Sequence, residues 1–144
     1  YTSILPNLLV DGIRKAIAAS SAVKVYVCNV ATQKGETDGF NVADHVDALV
    51  RHVGPGFFQY VLANTNIAKL PKEWGVTPVP LEWQSVDGIQ LVSADVVNKD
   101  NRLRHDQRKL GEALLQLYYA RSRNQKRRWL PQDFGSRMSS GGGK

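Results

Sequence analysis

Ten consecutive residues, Cys28-Asn29-Val30-Ala31-Thr32-Gln33-Lys34-Gly35-Glu36-Thr37, gather side-chain amides and hydroxyls directly behind an apolar stretch. Amides and hydroxyls read neutral donors and acceptors such as a nucleotide or sugar presents, and Gly35 lets the backbone approach a ligand closely. The same composition suits a loop whose Asn, Thr and Gln satisfy their own backbone, so composition alone leaves both readings open. Arg104, in Arg104-His105-Asp106, is placed to hold a phosphate bidentately beside the amide dipoles of a helix entrance. A surface ion pair with Asp100 or Asp106 is its structural alternative.

Other chemistries are poorly served. One cysteine and three scattered histidines give no zinc spacing, and no Gly-x-Ser-x-Gly elbow is present for a hydrolase triad. Asp44 follows Asn41 by three residues, where a carboxylate can cap a first helical turn as readily as serve a site. His45 falls on an apolar stripe, so a core histidine competes with a ligand contact.

The elements that must position these residues follow from apolar spacing. Ile4, Leu8, Leu9, Ile13, Ala16 and Ile17 predict one amphipathic helix over 2–19, with Pro6 tolerated in its first turn. Val23 to Cys28 is β-branched and aromatic, a buried strand that empties into the polar loop 29–40. Val42, Val46, Leu49, Val50 and Val53 predict a helix from Asn41 to the Gly54-Pro55 stop. Strands are predicted at 59–63, 79–81 and 90–94, the second between prolines that argue against a central position. A closing helix, entered near Asp106, carries Leu110, Leu114, Leu115, Leu117 and Tyr118. Strands alternating with helices and ending in polar loops predict an α/β fold: a Rossmann-like, largely parallel sheet flanked by helices, with ligands at the carboxyl edges of the strands.

Charge is confined to one end. From Arg121 onward there are seven bases against Asp133 alone, which accounts for the whole net charge of +6; residues 1–120 carry 12 bases and 12 acids. The expected organisation is a single domain over 1–120 and a basic, disordered tail over 121–144. Lys126-Arg127-Arg128-Trp129 could stack on nucleic acid, but a solvated tail is the expected reading and no nucleic-acid partner is assigned. No apolar stretch is long enough to span a bilayer, no leader is visible, and a lone Cys28 points to a reduced compartment. A cytoplasmic location without a membrane partner is expected.

Tyr1-Thr2-Ser3-Ile4-Leu5-Pro6-Asn7-Leu8-Leu9, Val27-Cys28-Asn29 through Glu36-Thr37, and Ala43-Asp44-His45-Val46 resemble, in order and spacing, the YTSIIPNLL, VCNLMTQxGET and ADHV motifs of the YvcK/CofD-like family. Arg104-His105-Asp106 is similar to its late RH(D/N) motif. The resemblance covers about residues 1–118 and implies the carboxyl-terminal part of a two-part Rossmann-like domain. The family's glycine-rich GGGTG-type loop and GPGS turn are not in this sequence. It further implies that Thr2, Ser3, Asn7, Asn29, Thr32, Gln33, Gly35, Glu36, Thr37, Asp44, His45, Arg104 and His105 belong to a nucleotide-sugar site. For Thr2 and Ser3, plain helix capping is the alternative.

Two functions follow from the resemblance. One is a non-enzymatic regulator, in the manner of the gluconeogenesis factors, that binds UDP-sugars such as UDP-N-acetylglucosamine and links carbon metabolism to cell-wall synthesis and cell shape, with no cofactor. The other is a CofD-type 2-phospho-L-lactate transferase, moving its group from a guanosine diphosphate carrier to a deazaflavin alcohol with Mg²⁺, for which Glu36 and Asp44 are candidate carboxylates. The motif wording is closer to the regulators, which is the expected function. A threonine that some relatives phosphorylate shortly after the RH motif is replaced here by Gln107 and Arg108. A homo-oligomer is left open.

Overall fold

A computed structural model describes residues 3–67 and 69–128. Three parallel strands, β1 (Val25–Val27), β2 (Tyr60–Asn64) and β3 (Gln90–Ala94), lie in the order β1-β2-β3. The register sets Val25 against Tyr60, and Tyr60 in turn against Gln90. Side chains alternate across a strand, and both faces of this sheet are apolar, as the unbroken β-branched runs predict. Tyr26, Cys28, Val61 and Ala63 join one core with Val42, Val46, Leu49 and Val53 of helix α3 (Val42–Val53). Leu62, with Val25, Val27 and Val92 around it, meets Leu110, Ala113 and Leu114 of helix α4 (Gln107–Arg128) on the other face.

Helix α3 starts where the residues require it. Asn41 accepts from the Asp44 backbone N–H, and the Asp44 carboxylate accepts from the Asn41 N–H, at 2.9 Å each, forming a capping box. Two further N–H groups at this end, those of Val42 and Ala43, donate to the carbonyls of Pro80 and Glu82. Gly54, at φ 89°, ends the helix in a conformation that favours glycine.

The single helix expected over 2–19 is two: α1 (Leu5–Leu9) and α2 (Asp11–Ala19). β-Branched Val10 turns extended, at φ −74° and ψ 110°, and its carbonyl accepts from Arg14 N–H to open α2. Asp11 stabilises that new first turn, with ion pairs to Arg14 and Lys15. The strand expected at 79–81 is not part of the sheet. Pro78 and Pro80 lack the N–H a ladder needs, so the segment runs antiparallel to the loop after β1, bridging Ala31 to Pro78, with Val79 N–H donating to Val30 O at 3.1 Å. The end of α4 also differs from expectation. The helix continues past Arg121 to Arg128, because Gln, Lys and Arg are good helix formers. The tail beyond it, and Thr2, lie outside the described residues.

His45 sits fully inside the α3 core, its ring edge-on to Phe40. Its Nδ1 donates to Asn41 O at 2.8 Å, and its buried Nε2 has no hydrogen-bond partner among the described residues. Burial therefore holds the imidazole below its usual value of 6.5, favouring the neutral ring. Unfolding restores the ordinary value, so as pH falls the unfolded chain takes up the proton first. The stability His45 contributes is complete above about pH 6.5 and declines below it. In urea unfolding between about pH 7.5 and 5.5, the midpoint should fall more steeply for the wild type than for His45→Gln; equal slopes would remove this account.

Candidate functional site

A parallel sheet delivers its loops to one edge, and three of them meet here. The first is residues 28–33, leaving β1. The second is the proline strap that returns toward β3. The third is residues 95–107, which leave β3, double back through an antiparallel bridge from Val97 to His105, and lead into α4. His105 Nε2 donates to the Cys28 carbonyl at 3.0 Å, tying the third loop to the end of β1 across the central strand. Asp106 then caps α4 by accepting from Lys109 N–H at 3.0 Å.

Between these loops lies a cleft of about 800 Å³, into which Ser3, Asn29, Thr32, Gln33, Arg104 and His105 all project surface. Asn29 Nδ2 donates to Gln33 Oε1 at 3.1 Å, so the two amides orient each other. Buried Thr32 is held by the strap: its hydroxyl accepts from Thr77 N–H at 2.9 Å, while its own N–H donates to Thr77 O at 2.8 Å. Arg104 has no carboxylate partner among the described residues. The ion pair with Asp100 or Asp106 does not form, and Asp106 is committed to its helix cap. No Asp or Glu lines the cleft among the described residues, and no cluster of His, Cys, Asp or Glu suited to a metal ion occurs among them. The arrangement offers neutral hydrogen-bonding groups and one guanidinium, a set suited to a polar, anionic ligand.

Of the other sequence-predicted residues, those within the described part of the chain lie off the cleft wall. Thr37 is buried and its hydroxyl accepts from Gln33 N–H at 2.8 Å, while Gly35, at φ 81°, donates to Asp38 at 2.6 Å. Together with exposed Glu36, whose N–H donates to Gln33 O, they shape the turn that presents Gln33. Asn7 turns back to donate to Ser3 O at 2.8 Å. Asp44 is spent on the α3 capping box and His45 on the core. Both are positioned by strong local demands, which is why neither reaches the cleft.

The sequence reading missed Val76, Asn101, Leu103 and Gln107 on the wall. Asn101 had a local signal: Asn98 Oδ1 accepts from the N–H groups of Asp100 and Asn101, and Asn101 Oδ1 from Leu103, consecutive Asx turns that leave Arg104 at the rim. Cys28, beneath the cleft, is inert by contrast, since burial pushes its thiol up to about 12.

Sheet, crossover and cleft together define an α/β protein with a cleft at the carboxyl edge of parallel strands, the place where open sheets of this class bind ligands. A family model described as 2-phospho-L-lactate transferase CofD matches residues 1–102, and the chain belongs to the CofD family. A gluconeogenesis factor of Halalkalibacterium halodurans is 41% identical over 125 residues, covering 81% of this chain and 38% of the relative. That of Bacillus subtilis is 38% identical over 125 residues, covering 81% and 39%. A crystal structure of a UPF0052-family protein from Bacillus halodurans matches with TM-score 0.69 at 36% identity, over 78% of this chain and 38% of that one. A second structure from Bacillus halodurans gives 0.70 at 38% identity, over 80% and 40%. The chain thus spans about two fifths of the length of these relatives. Among the described residues no helix is long and apolar enough to cross a membrane.

The Thr32–Thr77 clip sets where the strap closes the wall. Thr32→Val should lower unfolding stability by about 1 kcal/mol, the worth of a lost hydrogen bond at a part-buried site, measured by urea titration. Thr32→Ser should retain most of it.

Proposed function

We propose that the protein binds a nucleotide-sugar, a UDP-sugar such as UDP-N-acetylglucosamine, and acts as a regulator that links carbon metabolism to cell-wall synthesis and cell shape. The observation that carries this reading is the lining of the cleft: oriented amides and a hydroxyl from the loop after β1 face Arg104 on the loop after β3, which has no carboxylate partner among the described residues. Neutral groups suit the sugar and base, and a guanidinium suits the diphosphate. The names carried by the relatives, gluconeogenesis factors, support a role in carbon metabolism.

The transferase named by the family description supports the second reading, in which GDP and Mg²⁺ meet at the same edge. Such chemistry needs carboxylates against the diphosphate. Glu36 and Asp44 do not line the cleft, so the carboxylates in that reading come from elsewhere in the protein.

Calorimetric titration of the protein with UDP-N-acetylglucosamine should give binding heat, and GDP with Mg²⁺ should give none; binding of GDP alone would replace the regulator by the transferase. In the regulator, Asn29→Ala and Arg104→Ala should each weaken the UDP-sugar by about tenfold or more, as for a charged or oriented hydrogen bond. Full affinity in the double variant would remove both residues from the site.

A further inference from the structure

Asn101 stands on the cleft wall with Arg104, on the loop that leaves β3. Both of its oxygens serve that loop. Oδ1 accepts from Leu103 N–H at 3.1 Å, and the backbone carbonyl accepts from Arg104 N–H at 3.0 Å. Its own backbone N–H donates to Asn98 Oδ1 at 2.8 Å. In a side-chain amide the nitrogen lies opposite the oxygen, so the turn that binds Oδ1 leaves Nδ2 and its two donors on the side away from the loop backbone. Among the described residues Nδ2 makes no hydrogen bond. An aspartate would make the same turn, since only the oxygen is used in it; the amide adds donors.

We propose that Asn101 is a further ligand-binding residue, its Nδ2 donating to an anionic oxygen of the diphosphate that Arg104 holds. This rests on the nucleotide-sugar reading and extends it, because a diphosphate presents more oxygens than one guanidinium fork covers. The bond from Arg104 N–H to Asn101 O fixes the two residues relative to each other, so both sets of donors belong to one turn. The charge around them favours the same ligand. Over residues 98–104, Lys99, Arg102 and Arg104 stand against Asp100 alone, and no Asp or Glu lines the cleft among the described residues.

Asn101→Asp separates binding from loop structure. The carboxylate still accepts from Leu103 N–H, so the melting temperature should stay that of the wild type. In calorimetry of the whole protein, the variant should bind UDP-N-acetylglucosamine and inorganic pyrophosphate each about tenfold or more weakly. That loss should narrow as salt is raised from about 0.05 to 0.5 M, because repulsion at this exposed position is screened. Asn101→Ala, which loses both the turn and the donors, should weaken both ligands as well. Wild-type affinity in the Asp variant while the Ala variant is weakened, or a lowered melting temperature in the Asp variant, would reduce Asn101 to a loop residue and overturn the proposal, leaving the nucleotide-sugar reading in place. A wild type that binds pyrophosphate but not UDP-N-acetylglucosamine would remove that reading and let pyrophosphate alone decide Asn101; a wild type that binds neither would remove both.

Discussion

The structure depends on one constraint: each backbone N–H and C=O at the carboxyl ends of three parallel strands must be satisfied just where the ladder stops. Side chains and loops do this for one another. Asn64, at the end of β2 and buried, donates to Asn66 O and accepts from Val96 N–H at 3.1 Å. Val96 O accepts from Asp106 N–H, and Cys28 O from His105. The loop after β3 is therefore bound to both of the other strand ends, and the cleft is the space these bonds enclose.

The same economy of partners explains the proline strap. It replaces the helix that a βαβ crossover usually provides between β2 and β3. Its prolines cannot donate, but their carbonyls can accept, and one of them satisfies an orphan N–H at the start of α3 while Thr77 and Val79 bind the loop after β1. One irregular segment thus serves a helix end and a cleft wall together, which links α3 capping to the shape of the site.

Local chemistry was legible in the sequence wherever it acted alone. Asn41 with Asp44, Gly54, and the apolar runs around Tyr26, Val61 and Leu91 predicted the α3 boundaries and the three paired strands to within a residue or two. Asn29, Thr32 and Gln33 were likewise found from polar density after a strand, and they do line the cleft. What escaped was decided between distant segments. No local pattern distinguishes a proline-flanked strand from a strap that pairs with a loop 45 residues away. The break at Val10 escaped because Leu8 reaches the core while Leu9 and Val10 stay exposed, a split that periodicity alone reads as one helix. Asp44 and His45, which motif resemblance assigns to the site, stand off this cleft, Asp44 in the α3 capping box and His45 buried in the core.

Exposed apolar surface has a different logic from the cleft. The three-stranded sheet is closed on both faces by α3 and α4, so the core does not need the outer side of α4. A helix that is apolar on two sides buries one against its own sheet and offers the other to something else. On α4 that second side carries Leu115, Tyr118 and Tyr119, flanked by the ion pair of Glu112 with Arg108 on the same helix.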